Sequence, residues 1–327
     1  MKALMCNEHG LPDSLVYQEV PDPTPAAGEV VIDMHAAGVN FPDVLIIQNK
    51  YQFKPDLPFS PGAELAGVIS AVGSGVTNCK VGDRVMGSSG HGAFAEKVRV
   101  AAHKVIPIPD DINFETAAAF TLTYGTSYHA LADRAALQPG ETVLVLGAAG
   151  GVGLAAIEIS KAMGATVIAG ASTDEKLAIC KEHGADILFN YGGLQGKDLR
   201  AGLKAAAGDT APDVIYDPVG ADMAEPMFRS IAWRGRYLVV GFAGGTIPAV
   251  PWNLMLLKGA SVVGVFWGDY TVRERDHFAS DLKQMFTMIG KGQLKPHISG
   301  TYKLANGAQA LNDMMNRKVT GKVIITP

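Results

Sequence analysis

The sequence has little of what a metalloprotein or a disulfide-stapled protein needs. It carries only three cysteines in 327 residues, Cys6, Cys79 and Cys180, far apart and with no CxxC pair. That leaves neither a thiolate zinc site nor a disulfide framework, and each reads as an isolated buried thiol. The eight histidines form no HxH or HxxxH pair. Charge is also sparse, at 18% of residues and a net −4, which speaks against a nucleic-acid or anionic-membrane binder. Basic–aromatic clusters of the kind that grip RNA are missing. The first nine residues turn polar too early for a signal peptide. One long uncharged stretch, residues 237–257, is broken by Gly241, Gly244, Gly245, Pro248 and Pro251, so it reads as a buried strand and a loop, not a membrane helix. These absences make the cytoplasm the expected setting, with neither nucleic acid nor membrane as partner.

What the sequence does have is glycine, 38 residues of it, and apolar side chains, 48% of the chain. Both concentrate in residues 142–161, TVLVLGAAGGVGLAAIEISK. Val143, Leu144, Val145 and Leu146 form a short apolar run suited to a strand buried on both faces of a parallel sheet. Gly147, Gly150, Gly151 and Gly153 follow, and then Val152, Ala155, Ala156, Ile159 and Met163 recur at helical spacing. Strand, glycine turn and helix form the setting of a dinucleotide-binding turn, although the first glycine of the usual GxGxxG falls on Ala148. A diphosphate must reach backbone N–H groups at the positive end of the helix, and a Cβ would block it. Gly150 and Gly151 are expected to clear that approach, with Ala149 and Val152 beside it, and Gly153 to bring the helix close to the strand.

Around this stretch the chain divides. Residues 1–120 read as short strands and turns, at 29–34, 65–72, 84–86 and 93–100. A helix is expected over 117–134, interrupted near Gly125. Alternation then sets in: strand 143–146 with helix 151–163, strand 166–170 with helix 173–183, strand 187–190, strand 213–217 with helix 222–232, and strands 236–241 and 260–266. Repeated βα units predict an α/β fold with a doubly wound parallel sheet. A helix over 273–291, a strand near 297–304, a helix over 305–316 and a strand over 322–325 form a tail that returns to the first region. The expected domains are residues 1–120 with 268–327, and residues 121–267.

The end of the second strand selects the nucleotide. An NAD site places a carboxylate there for the ribose diol, but this chain has Gly170-Ala171-Ser172. Ser172 offers a hydroxyl and Lys176 a cation, which suit a 2′-phosphate and favour NADP(H). Ser172-Thr173-Asp174-Glu175 also matches a helix capping box, so Ser172 has a second reading as a cap. Tyr191 follows the third strand, where an adenosine phosphate or ribose comes within reach.

Read together, the ordered motifs GVNFPD (38–43), PGAELAGV (61–68), GDRV (82–85), GAFAE (92–96) and AAGGVG (148–153) resemble, end to end, the zinc-independent quinone oxidoreductase branch of the medium-chain dehydrogenase/reductase superfamily. The resemblance implies a GroES-like β-rich domain beside a Rossmann domain, and a homodimer joined through the last Rossmann strand, 260–266. It places Asn40, Ala63 and Leu122 at the three catalytic zinc-ligand positions of the alcohol dehydrogenase branch, and none of them is a metal ligand. It implies NADP(H)-dependent hydride transfer to a quinone or an α,β-unsaturated carbonyl. Asn40, Tyr51 and Thr126 are the implied catalytic positions, with Tyr51 open to a second reading as a loop tyrosine. Implied cofactor contacts are Phe41, Pro42, Thr126, Val219, Gly241, Phe242, Ala243, Phe266, Trp267 and Arg317, beside the glycine turn, Gly170, Ser172, Lys176 and Tyr191. Lys318 and Lys322 compete with Arg317, with a solvated surface charge as the alternative. Glu64 is expected as a structural carboxylate and His91 as a solvated turn residue. Two other activities compete: an enoyl-CoA or 2-haloacrylate type of ene reductase, and a nucleotide-binding accessory protein with little catalysis.

Overall fold

Glycine and proline punctuate the N-terminal region into short strands. β1 (Lys2–Met5) pairs with β2 (Val16–Glu19); β3 (Glu29–Val39) runs into helix α1 (Phe41–Ile46); β4 (Glu64–Val72), β5 (Arg84–Ser88), β6 (Lys97–Ala101), β7 (Val105–Pro107) and helix α2 (Phe114–Ala118) follow. The computed structural model describes residues 1–327.

The next stretch alternates strand and helix. It comprises α3 (Thr121–Tyr128), a π-helical segment His129–Arg134, β8 (Thr142–Val145), α4 (Gly151–Ala162), β9 (Thr166–Ala171), α5 (Asp174–Glu182), β10 (Ile187–Asn190), α6 (Lys197–Ala207), β11 (Val214–Asp217), α7 (Ala224–Ser230), β12 (Arg236–Val239), α8 (Asn253–Lys258), β13 (Ser261–Gly264), α9 (Trp267–Arg273) and α10 (Arg275–Gly290). The tail is β14 (Ile298–Lys303), α11 (Gly307–Met315) and β15 (Lys322–Thr326).

Two units result, residues 1–122 with 298–327, and residues 123–297. In the first, β14, β15, β3, β4, β5 and β7 lie side by side in that order, and β6 also pairs with β3. The tail thus completes the N-terminal sheet, with β15 antiparallel to β3. In the second, six parallel strands run in the order β10-β9-β8-β11-β12-β13. The order reverses between β8 and β11, the switch point where open parallel sheets bind ligands. β8 is buried along its whole length. Fully burying each of its larger aliphatic side chains contributes roughly 1.5–3 kcal/mol, and an apolar run of this kind suits no other place in the fold.

Several expected boundaries shift. The second unit continues to His297 instead of ending at 267, because α10 packs with it: Phe278 meets Trp267 edge-on at 5.7 Å and Tyr270 at 6.4 Å. The helix expected over 117–134 breaks at Ala119–Phe120, not at Gly125. Gly125 lies inside α3, where a Cβ would stand 2.7 Å from the Trp267 Nε1, so the glycine makes room for the indole. Helices α6 and α8 were not expected; α6 buries only Leu199 and Leu203 and is otherwise a solvated helix. The final Rossmann strand spans 261–264 instead of 260–266.

Candidate functional site

In the second unit the site is built at the turn after β8. α4 starts at Gly151 with Gly150 as its cap, and no side chain caps its first N–H groups. An uncapped helix start is an anion-binding surface. The glycines there do different work. A Cβ on Gly153 would lie 2.5 Å from the Gly147 carbonyl oxygen and 2.6 Å from that of Ala148, so this glycine is demanded by packing. Gly147 has φ +57, and a Cβ there would meet Val219 at 3.0 Å. A Cβ on Gly150 would find only the Gly147 oxygen, at 3.3 Å, and the backbone at Gly150 is extended and open to any residue. Packing therefore demands glycine at Gly147 and Gly153 and constrains Gly150 less, where the one close neighbour is a backbone oxygen.

Val219 reaches the turn because Asp217, at the end of β11, folds its own loop. The buried carboxylate accepts the N–H groups of Val219 (2.7 Å) and Gly220 (2.8 Å) and the hydroxyl of Tyr237. The Pro218 carbonyl in turn accepts from Ala243 N–H (3.0 Å), and that of Val219 from Gly244 N–H (2.8 Å). Val219 is thereby brought against Gly147, Gly241 and Ala243 lie against the Pro218 loop, and Phe242 is in the same half-buried segment. Sequence reasoning missed Asp217, although an acid closing a strand before Pro-Val-Gly was a readable turn signal.

Gly170 falls inside β9, and its carbonyl accepts from Ala148 N–H at 3.0 Å. It holds the turn from below through its backbone. The cap of α5 is Thr173, whose Oγ1 accepts from Lys176 N–H at 3.3 Å. The capping-box reading of Ser172 is thus replaced: Thr173 does that work, and the half-buried Ser172 hydroxyl makes no hydrogen bond within the chain. Asp174 accepts from Asn190 Nδ2 at 2.7 Å. Lys176 and Tyr191 are half-buried, and Tyr191 lies edge-on to Phe189 at 6.0 Å. Thr126 is half-buried on α3, where its neighbour Ser127 donates to the Val152 carbonyl (2.9 Å). Trp267 is buried with its indole N–H unpartnered, while Phe266 is exposed.

The first unit holds a cluster that the sequence did not reveal. Lys322 is only 3% exposed. Its ammonium donates to the Asn40 Oδ1 (2.7 Å), the Val39 carbonyl (3.1 Å) and the Glu64 carboxylate. Glu64 also accepts from Asn40 Nδ2 (2.9 Å) and from Leu122 N–H (2.8 Å), which caps the start of α3. Gly38 must be glycine here, because a Cβ would lie 2.4 Å from the Glu64 Oε1. Asp43, 2% exposed, accepts the Asn40 N–H at 2.8 Å. Burial pushes its carboxyl up to about 7, against the pull of backbone N–H groups and of the Lys322 charge, and with the help of Glu64. Tyr51 packs on the core nearby, and its phenol is held above the usual range by burial and then by the Asp43 charge.

Three expectations change accordingly. Asn40, implied as a catalytic position, has no amide hydrogen to spare for a substrate, because its Nδ2 donates to Glu64 and to the Gly38 carbonyl (3.3 Å). Lys322 is a buried ion-pair partner and not a solvated charge. His91 is no solvated turn residue: its ring stacks on Phe53 at 5.7 Å and meets Phe59 edge-on at 6.0 Å. Phe41 and Pro42 open α1 half-buried, and Arg317 is exposed in the tail with φ +58. Glu64 is structural, as expected.

Comparison with known proteins places this geometry. The family description "Alcohol dehydrogenase GroES-like domain" matches residues 26–110, and "Zinc-binding dehydrogenase" matches residues 151–286. A mouse protein named quinone oxidoreductase-like protein 2 is 39% identical over 326 residues, covering 99% of this chain and 92% of its own. Human quinone oxidoreductase is 35% identical over 328 residues, covering 99% and 97%. The structure of Escherichia coli quinone oxidoreductase complexed with NADPH superposes with a TM-score of 0.92 at 31% identity, over 100% of both chains. The zinc in the second family description does not fit the residues here. No group of three or more His, Cys, Asp or Glu is placed to hold a metal, and at Asn40 a metal ion would meet the Lys322 ammonium. With full-length identities of this order, the chain belongs to the quinone oxidoreductase family of the medium-chain dehydrogenase/reductases.

Proposed function

We propose that the protein is an NADPH-dependent reductase of quinones, with activated alkenes as a second class of acceptor. The observation that carries this reading is the uncapped start of α4 at the strand-order switch, with a glycine at its cap position that packing constrains less than Gly147 or Gly153. The N–H groups of Gly151 and Val152 hold the diphosphate, with Ala149 and Gly150 alongside; the Gly150 N–H itself donates to the Gly147 carbonyl at 3.0 Å. Ser172, Lys176 and Tyr191 hold the 2′-phosphate, beside two acids that are both engaged: Asp174 accepts from Asn190, and Glu175 is hydrogen-bonded to the Thr173 side chain. Thr126, Gly241, Phe242, Ala243 and the 266–267 backbone position the nicotinamide. The family resemblance supports Phe41, Pro42 and Arg317 as further cofactor contacts.

Bound NADPH supplies a hydride. Since the residues offer no Lewis acid, the acceptor must already be electron-poor, as a quinone or enone is. Tyr51 donates a proton to the oxygen that gains charge. Asn40 acts through the cluster, by fixing α1. The flat stack of Phe53 on His91, two residues from Tyr51 along the chain, favours a planar quinone.

Lys176→Ala tests the cofactor. NADPH affinity is expected to fall about 10–100-fold, the size of a lost charge-assisted phosphate contact, while NADH affinity stays within about twofold. Fluorescence titration of both cofactors reads this, and equal losses would overturn the assignment.

We also propose a homodimer. β13 closes one end of the parallel sheet with only β12 beside it. Val262 on this strand is exposed, as are Phe266 just beyond it and Trp252, Leu256 and Leu257 around α8. An exposed apolar edge invites a second copy. Sedimentation equilibrium should give twice the chain mass, and Val262→Lys should give the monomer. A wild-type monomer at micromolar concentration contradicts it.

A further inference from the structure

One hydroxyl in the second unit donates to the dinucleotide helix from outside it. Ser127 on α3 is fully buried, and its Oγ donates to the Val152 carbonyl in the first turn of α4 at 2.9 Å. The same Oγ lies 2.9 Å from the phenol oxygen of Tyr216 on β11, which is also fully buried. A carbonyl only accepts, and a serine hydroxyl has one hydrogen. The Ser127 hydrogen is therefore committed to Val152, and Tyr216 must be the donor to Ser127. The chain of bonds has one direction, from phenol to serine to carbonyl. Burial holds the phenol above its ordinary range, so the proton it donates stays in place. Three residues back along α3, Tyr124 donates to the buried Glu158 of α4 at 2.7 Å, a second tie between the same two helices.

Val152 C=O and Gly153 N–H are the two ends of one peptide group. The N–H groups of Gly151, Val152 and Gly153 have no acceptor in the chain; Leu154 N–H is the first of the helix that has one, the Gly150 carbonyl at 2.9 Å. The helix itself gives the Val152 oxygen an ordinary i+4 donor, so Ser127 takes the second lone pair. Each bond accepted there draws electrons toward oxygen and leaves the Gly153 N–H more positive. A side chain at Gly153 is forbidden by the Gly147 oxygen, 2.5 Å from where its Cβ would stand. This donor can be tuned only through its own peptide.

We infer that Ser127 and Tyr216 are positioning residues for the cofactor: they hold and polarise the 152–153 peptide, so that the Gly153 N–H joins those of Gly151 and Val152 on the diphosphate. The inference rests on the cofactor site proposed above. Both hydroxyls are spent within the chain and act through the peptide. The diphosphate is common to NADPH and NADH, so the pair strengthens both alike and leaves the choice between them to Ser172, Lys176 and Tyr191.

The test titrates NADPH and NADH into wild type, Ser127→Ala, Ser127→Cys, Tyr216→Phe and the double variant Ser127→Ala/Tyr216→Phe. Ser127→Ala should weaken both cofactors by the same factor, about 3–10-fold, and Tyr216→Phe both by about twofold. Ser127→Cys should fall between wild type and Ser127→Ala, because a thiol is a weak donor. Ser127→Ala alone leaves the Tyr216 phenol buried without a partner and should lower the melting temperature. The double variant removes both hydroxyls, so it should regain most of the melting temperature and none of the affinity. Affinity that returns together with the melting temperature marks a packing role and overturns the inference, as does unchanged affinity in Ser127→Ala. Amide NMR of the cofactor-free protein gives a readout independent of binding. The Gly153 amide proton should move upfield in Ser127→Ala and less far in Tyr216→Phe, while that of Gly151, on a peptide Ser127 does not touch, stays in place. A Gly153 signal unmoved in Ser127→Ala overturns the inference even where binding weakens. A wild type that binds neither dinucleotide overturns the cofactor site itself; any of the other failures, with wild-type binding intact, removes the hydroxyl pair and leaves that site standing.

Discussion

Lys322→Met lowers the stability of the protein by about 3–5 kcal/mol in urea unfolding, the largest single-site effect expected outside the glycine turn. The size follows from what the ammonium leaves behind. Glu64 and Asp43 would remain in a dry cluster without their cation, and the Val39 carbonyl and Asn40 Oδ1 would lose their donor. Methionine fills the volume of the stem, so the loss reads the charge and not a cavity. Glu64→Gln added to Lys322→Met should recover part of the deficit, because the uncompensated carboxylate is then gone; the two changes share one network and will not add. A loss under about 1 kcal/mol for Lys322→Met would mean that water reaches the cluster.

Gly150→Val is expected to abolish dinucleotide binding, with NADPH affinity down about 100-fold or more, equivalent to roughly 2.7 kcal/mol or above, while unfolding stability stays within about 1 kcal/mol. A Cβ at Gly150 has one close neighbour, the Gly147 oxygen at 3.3 Å, a far milder contact than at Gly153, and the added branch stands where a diphosphate must pass. Gly153→Ala gives the opposite pattern. Its Cβ collides with two backbone oxygens at 2.5 and 2.6 Å that cannot rotate away, so stability falls before binding is tested. Isothermal titration beside thermal melting separates the two. Equal loss of stability for both variants would mean that the turn is built for packing alone.

The nucleotide half of the fold was legible because its signals are local. An apolar run, four glycines and a helical repeat occupy 20 consecutive residues, and the missing acid after the second strand can be read one residue at a time. The buried cluster was not legible because it is assembled from afar: Lys322 and Glu64 are 258 positions apart. A lysine opening a strand of Val323, Ile324 and Ile325 was the one available hint, and it reads equally well as a solvated strand end. The amide of Asn40 was placed correctly in the chain and wrongly in role, since a sequence cannot tell whether both ends of an amide are already taken. α6 escaped notice because two leucines four residues apart mark only a narrow apolar stripe. The break before α3 depends on Glu64 receiving the Leu122 N–H, a long-range contact that no local propensity encodes.

The interlocked loops after β8, β11 and β12 bear on how the cofactor is gained and lost. Asp217 pins the 218–220 loop, Val219 lies against Gly147, and the carbonyls of Pro218 and Val219 are tied to the 243–244 backbone. A floor braced in this way is finished before any nucleotide arrives, so little of the binding free energy goes into ordering it. Exchange of spent for fresh cofactor must then be timed by segments outside this brace, and the crest of the sheet serves as a fixed anvil on which successive molecules are set down in the same pose.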